Sequence, residues 1–139
     1  MLSLPRQLPP SWYRDRLREE LGERRAARSF LRKLSETSDI FFSISRARHD
    51  GFPIRTLPDF VVPRHLPVYA YMLAKFTLRW QFYRIAARLC GAARAGAVCE
   101  VVNPAKDHKL DEVASRHGID KATFRRVGRR LRRMWPLLP

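Results

Sequence analysis

The sequence predicts a small all-α protein, and three observations carry that prediction. Hydrophobic residues make up 45% of the 139 residues, which suffices for a modest core in one domain. Apolar residues recur at spacings of three and four along most of the chain, which is the period of a helix and not of a strand. Most prolines lie within residues 5–10 and 53–67, where they separate the helical patterns. We therefore expect a bundle of about five helices with a Pro-rich extended connector and a C-terminal helix-turn-helix-like unit.

Proline and glycine also predict how the chain is divided. We expect residues 1–10 to form a Pro-containing N-terminal arm and residues 11–139 to form a single helical domain. Four parts follow one another within that domain: a helical pair over 11–51, a connector over 52–66, a central helix over 67–93, and the helix-turn-helix-like unit over 108–135.

The helical pair is predicted from its spacing and its ends. Ser11 follows two prolines and suits the N-cap of a first helix that runs from Trp12 to Leu34. Residues 38–50 contain strand-forming side chains, but their apolar spacing is helical, and Gly51 suits a left-handed cap. We therefore predict a second helix there and not a strand.

The central helix follows the Pro-rich connector. Four prolines between residues 53 and 67 deny backbone donors to any strand pairing and favour an extended chain. Pro67 suits the first turn of a long helix, which we expect to end between Leu89 and Ala93.

The charge of the chain favours a polyanionic partner. Its 28 Lys and Arg residues face only 13 Asp and Glu residues, which gives a net charge of +15. Of these cations 23 are Arg, whose planar guanidinium binds phosphate with two hydrogen bonds. A genome rich in G and C also raises the Arg content, and the sequence leaves both explanations open.

Two short helical patterns, over 110–117 and 121–135, are joined by a turn with specific chemistry. Ala114 is small where two helices would approach, and Gly118 tolerates the positive φ of a tight turn. Ile119 would fill the corner, and Asp120 would cap the next helix.

This stretch of about 22 residues resembles the helix-turn-helix of lactose-repressor-type regulators through Val113-Ala114, Gly118-Ile119-Asp120 and Thr123-Phe124. In that family the second helix enters the major groove of DNA. The resemblance implies that Lys121, Ala122 and Arg126 face the bases. It also places Thr123 and Arg125 near phosphates. The motif departs from the family by lying at the C-terminal end of the chain and by having Gly128 in its second helix, where glycine weakens helix formation.

The second helix of this motif is strongly cationic, and no acid follows Asp120. Its basic residues are Lys121, Arg125, Arg126, Arg129, Arg130, Arg132 and Arg133. Because such crowded like charges repel one another, we expect a phosphate-rich molecule to lie across them. The predicted function is that of a non-catalytic nucleic-acid-binding protein, with DNA or structured RNA as its partner. Pairing of these guanidinium groups with the chain's own carboxylates would contradict this hypothesis.

An alternative function comes from the start of the first helix. Trp12-Tyr13-Arg14 resembles the Leu-Tyr-Arg signature of small mitochondrial assembly proteins, with Trp in place of the leading Leu. The resemblance implies that Tyr13 and Arg14 meet an acidic protein partner. On this interpretation the chain is an assembly factor or scaffold subunit. Under the nucleic-acid-binding hypothesis, a larger ribonucleoprotein particle is a further candidate partner.

No group of residues predicts an enzyme, a metal site or a cofactor. Cys90, Cys99, His108 and His117 are nine residues apart, which is wider than the usual spacing of zinc ligands. The aromatic residues of the central helix could stack on bases, but aromatics on a long helix more often form a core. Basic residues interrupt every apolar stretch, so we expect no membrane span. Two cysteines are too few for a disulfide scaffold and the first residues do not resemble a secretory signal, so we expect an intracellular protein, either nuclear or mitochondrial.

Overall fold

The computed structural model describes residues 8–135, and within that range the protein has five α-helices and no strand. The helices are α1 (Pro10–Ala26), α2 (Phe30–His49), α3 (Leu66–Leu89), α4 (Asp107–Arg116) and α5 (Lys121–Met134). Single turns of 3-10 helix occur at Pro63–His65 and Ala95–Ala97. The all-α prediction is confirmed.

The chain divides into two compact units at a boundary between Ala74 and Lys75, inside α3. The N-terminal unit contains α1, α2, the Pro-rich connector and the first part of α3. The C-terminal unit contains the rest of α3, the following loop, α4 and α5. Each unit has its own hydrophobic core.

The first predicted helix is in fact two helices. α1 ends at Ala26, and Ala27 has an extended backbone with φ −66° and ψ 123°. The Ser29 side chain accepts a hydrogen bond from the backbone N–H of Arg32 at 3.2 Å and so caps α2. The prediction of one helix continuing to Leu34 is therefore wrong. Apolar spacing is helical on both sides of the break, but the Ser29 cap starts a new helix.

The other helix ends follow local chemistry. Gly51 has φ 85° just after α2, which confirms the predicted left-handed cap. Ser38, expected at the start of that helix, instead lies buried within it and donates to the backbone oxygen of Ser35 at 2.6 Å. Ser11 is also not an N-cap, because α1 already begins at Pro10, whose ring suits a first helical turn.

The core of the N-terminal unit forms where α1 packs against α2. Leu17 of α1 lies against Phe41 and Ile44 of α2, and the connector covers the cluster. Tyr13 is 1% exposed, and its hydroxyl donates to the side chain of Asp50, just beyond α2. These contacts hold the beginning of α1 against the end of α2.

The core of the C-terminal unit joins three helices. Tyr83 of α3 stacks on Phe124 of α5 with ring centroids 6.4 Å apart, and Leu110 and Val113 of α4 complete the cluster. A Cβ atom at Gly128 would lie 2.9 Å from a methyl carbon of Leu110, so α5 packs closely on α4 at a position without a side chain. Close packing therefore explains why α5 has glycine at position 128, although glycine weakens an isolated helix.

Gly128→Leu should destabilise the C-terminal unit. The new side chain would overlap Leu110, and overpacking of this kind costs about 1–3 kcal/mol. The free energy of unfolding, measured by urea titration with circular dichroism, should fall accordingly. Gly22→Leu is the matched control, since nothing lies within 4 Å of a Cβ at that helical position. It should stabilise α1 slightly, and equal losses in both variants would contradict the close packing.

A buried carboxyl group lies at the contact between α1 and α2. Glu20 is 1% exposed, and one of its side-chain oxygens has no hydrogen-bond partner among the described residues. Burial raises the pKa of Glu20 to about 7, against the opposing effect of Arg16, with smaller contributions from Asp39, Glu23 and Glu36. The folded N-terminal unit therefore favours the protonated carboxyl.

Glu20→Gln should stabilise the protein at pH 8 more than at pH 4. Because the pKa of Glu20 is higher in the folded state, wild-type stability is fully present below about pH 4.5 and is lost as the pH rises to about 7. Glutamine removes this loss, and we expect the melting temperature at pH 8 to rise by at least about 4 °C. Glu19→Gln is the matched control, since it makes the same change at an exposed position of α1. A Glu20→Gln protein less stable than wild type at pH 8 would show that the ionised carboxylate stabilises the fold, which contradicts a raised pKa.

Candidate nucleic-acid interface

The turn between α4 and α5 is built by local hydrogen bonds. Gly118 has φ 64°, the positive value that the sequence predicts. The backbone N–H of Ile119 donates to the oxygen of Ala114 at 2.9 Å, and the Asp120 carboxylate accepts from the N–H of Thr123 at 2.7 Å. The latter bond lowers the pKa of Asp120 and keeps its charge beside the helix N-terminus.

One side of α5 is paired with acids of α4. Arg125 Nε donates to Asp111 Oδ1 at 3.0 Å, and Arg129 Nη2 donates to Asp107 Oδ2 at 2.6 Å. Arg132 Nη2 donates to the other oxygen of Asp107 at 2.5 Å. The hydrogen bonds from Arg129 and then Arg132 lower the pKa of Asp107 to about 2, and the bond from Arg125 lowers that of Asp111.

These ion pairs correct the sequence analysis. The expectation that the chain's own carboxylates leave the guanidinium groups of α5 free is wrong for Arg125, Arg129 and Arg132. The physical reason is that Asp107 and Asp111 stand one turn apart on α4 and face the same side of α5. Half of the six arginines of α5 are thereby neutralised within the unit.

The outward side of α5 carries the remaining cations, Lys121, Arg126, Arg130 and Arg133, which we call the outer stripe. All four side chains are exposed, and none of them forms an ion pair with any residue that the structure describes. Arg126, Arg130 and Arg133 are spaced by four and three residues and so stand above one another on the helix. The outer stripe is an array of unneutralised positive charge on a helix whose opposite side is buried.

Two shallow grooves run beside the outer stripe. One, of about 370 Å³, is lined by Lys121, Ala122, Arg125, Arg126 and Arg129. The other, of about 390 Å³, is lined by Arg126, Arg129, Arg130 and Arg133. No described acidic residue lines either groove, and the guanidinium of Arg129 is shared between them while it also binds Asp107.

The residues expected near bases differ in their exposure. Lys121 and Ala122 are exposed at the first turn of α5, and Arg126 is exposed one turn later. Thr123 is half-buried, and its hydroxyl oxygen accepts a weak hydrogen bond from Arg126 Nη2 at 3.4 Å. Arg125 is held by its acid partner and points towards α4.

The predicted partner-binding residues near the N-terminus separate. Tyr13 lies in the core, where its ring packs between Trp12 and Phe52 at centroid distances of 5.2 and 5.5 Å. Arg14 is exposed. Tyr13 therefore anchors α1, and only Arg14 is accessible to a partner.

The aromatic residues of the C-terminal half of α3 serve packing. Phe82 and Tyr83 are fully buried, and burial raises the pKa of Tyr83. Arg84 lies 3.9 Å from the centroid of the Trp80 ring and also donates to the backbone oxygen of Val98 at 3.3 Å. These contacts favour the core interpretation of the aromatics over base stacking. Within residues 8–135, no helix has the combination of length and apolar character that a membrane crossing requires.

Sequence reasoning overlooked the two acids that matter most here. Asp107 and Asp111 are four residues apart, and Arg125, Arg129 and Arg132 recur at four and three residues on the next helix. Two such patterns across one tight turn predict interhelical ion pairs. The sequence analysis considered only the absence of acids after Asp120, whereas the two partner acids precede it.

Asp107→Asn should strengthen nucleic-acid binding and weaken the fold. The change removes one negative charge and releases Arg129 and Arg132, so affinity for a labelled DNA duplex at low salt should rise about threefold or more. Because the pKa of Asp107 is lowered, its stabilising effect is present above about pH 3.8 and lost as the pH falls to about 2. The variant's melting temperature should thus fall at pH 7 and match wild type near pH 2. Asp15→Asn on α1, with the same change in charge, should alter neither property appreciably.

Comparisons with known proteins identify no relative whose function could be compared with this site. No protein-family model, curated protein or solved structure matches the chain. The two family resemblances therefore stay predictions from short motifs.

Proposed function

We propose that the protein is a non-catalytic nucleic-acid-binding protein that contacts phosphates through the outer stripe of α5. The observation that carries this proposal is that four exposed cations of α5 have no ion-pair partner among the described residues. The proposal is narrower than the one drawn from sequence, because it does not depend on the paired residues Arg125, Arg129 and Arg132.

The rigidity of α5 supports the proposal. Phe124 and Leu131 anchor its inner side in the core, and the pairs with Asp107 and Asp111 hold its flank. A cationic helix held on two sides presents its third side without further ordering, which lowers the entropic cost of binding. Arg supports phosphate binding further, because its fork of donors matches two phosphate oxygens.

The first turn of α5 supports a duplex as one candidate target. Lys121 and Ala122 are exposed beyond the tight turn at Gly118, which is where a helix-turn-helix presents residues to base edges. The grooves beside Arg129 favour phosphate contacts in either DNA or RNA. Binding that depends mainly on phosphates should tolerate changes of sequence and fall steeply with salt.

Neutralising the outer stripe should reduce the salt dependence of binding. We compare wild type with the triple variant Arg126→Gln, Arg130→Gln, Arg133→Gln in titrations of a labelled 24-base-pair DNA duplex and a labelled RNA hairpin. If each arginine neutralises one phosphate, the slope of log affinity against log salt should fall by about 2.7 for the duplex. Affinity at low salt should fall about tenfold or more.

The control is a triple variant with the same loss of charge elsewhere. Arg14, Arg25 and Arg28 are exposed in the N-terminal unit, and their replacement by Gln should leave the slope nearly unchanged. Equal losses in the two triple variants would show that binding follows net charge alone, and would refute the outer stripe as the site. Absence of binding by wild type to both probes at 50 mM salt would refute the function.

A further inference from the structure

The N-terminal unit has an open groove of about 570 Å³ between α1, α2 and the connector. Its apolar lining residues include Leu21, Phe30, Leu34, Phe41, Ile44 and Val68. Volumes of this size and lining are typical of binding sites. No residue of α4 or α5 lines this groove, so it shares no residue with the outer stripe.

The wall that α2 contributes is a long stripe. Phe30, Leu34, Thr37, Phe41 and Ile44 line the groove at alternating spacings of four and three residues. They span 15 residues, which is about 21 Å and four helical turns. Phe41 and Ile44 are buried at one end, whereas Phe30 at the other end is 77% exposed. An exposed phenylalanine continuous with an apolar groove indicates a surface that a partner covers.

The rim of the groove is basic. Its cationic and titratable residues are Arg24, Lys33, Arg55, Arg64 and His65, and no described acidic residue lines the groove. These residues come from α1, α2, the connector and the turn before α3, so they border the groove on more than one wall. The ligand that complements this surface is apolar in its middle and acidic along its edges.

The cations are also distributed along the groove. Lys33 lies near the start of the α2 stripe, and Arg24 Nε donates to Thr37 Oγ1 at 2.9 Å. Arg64 Nε donates to His65 Nε2 at 3.2 Å, and the His65 ring lies 6.4 Å from that of Phe41. These positions occupy successive turns of α2 and cover about 12 Å. The single head group of a fatty acid could meet the charge at only one of these turns. Acidic residues along both edges of a helix could meet all of them.

We propose that the groove binds an amphipathic α-helix of a partner protein, with apolar residues at spacings of three and four flanked by Asp or Glu. The apolar face of that helix lies along the α2 stripe and covers Phe30, and its acids pair with the basic rim. This is helix-in-groove recognition, in which the apolar anchors supply affinity and the flanking charges supply selectivity.

The first test uses a labelled 16-residue peptide with Leu at spacings of three and four and Glu on both flanks. A scrambled peptide of the same composition keeps the charge but has no apolar stripe. Binding to the full chain is measured by fluorescence anisotropy. About 150 mM salt is present, because salt screens non-specific attraction to a protein of net charge +15. The striped peptide should bind about tenfold or more tightly than the scrambled one.

The chain offers a matched pair of variants. Phe30 and Leu31 are neighbours with 77% and 69% exposure, but only Phe30 lines the groove. Phe30→Asp should weaken binding of the striped peptide about tenfold, whereas Leu31→Asp should change it by less than about twofold. Circular dichroism verifies that both exposed variants fold. The outer-stripe triple variant should bind the peptide like wild type, which keeps this test separate from the test of nucleic-acid binding.

Three results would overturn the proposal. Equal binding of the striped and scrambled peptides would show attraction by charge alone. Equal losses for Phe30→Asp and Leu31→Asp would place the peptide outside the groove. Displacement of the striped peptide by palmitate, with tighter binding of palmitate that depends on Phe30, would identify a fatty acid as the occupant.

Discussion

The ion pairs between α4 and α5 decide which charges of the C-terminal unit are available to a partner. Asp107 and Asp111 bind three arginines along one flank of α5. Both acids are partly exposed, so the ion pairs contribute little to stability. Their main effect is to neutralise one side of α5. Neutralisation on that flank leaves the outer stripe as the unbalanced side of α5.

Arginine has structural as well as binding functions in this protein. Arg116 pairs with Glu100 and Glu112, and Arg84 covers Trp80 while donating to backbone oxygens. A high arginine content is therefore not by itself a measure of nucleic-acid contact. What distinguishes the outer stripe is that four exposed cations without a described carboxylate partner lie along one side of a single helix, and not the number of arginines.

Local signals predicted much of the fold. Helix type follows from apolar spacing in α3, and the turn at Gly118 follows from a glycine between two amphipathic segments. The break at Ala27 was missed because the segments on both sides of it have helical spacing, so that periodicity alone could not show where one helix stops. Ser29 was the available signal for the new start.

The candidate sites were harder to predict, because they depend on which faces meet. The resemblance near residue 13 picked out a tyrosine whose exposure only packing decides, and Tyr13 proved to be buried. The groove beside α2 requires side chains from four separate segments to converge, and no single stretch of sequence carries that information. In α5 the charge was evident, but its division between a paired flank and an outer stripe depends on the neighbouring helix.

Gly128 sets the rotation of α5 about its own axis. Only that position lets the helix backbone come this near to Leu110. A slip of one residue would turn α5 by about 100° and move a bulky side chain into the contact. The absence of a side chain at Gly128 thus fixes which face of α5 packs on α4, and thereby which arginines point to solvent.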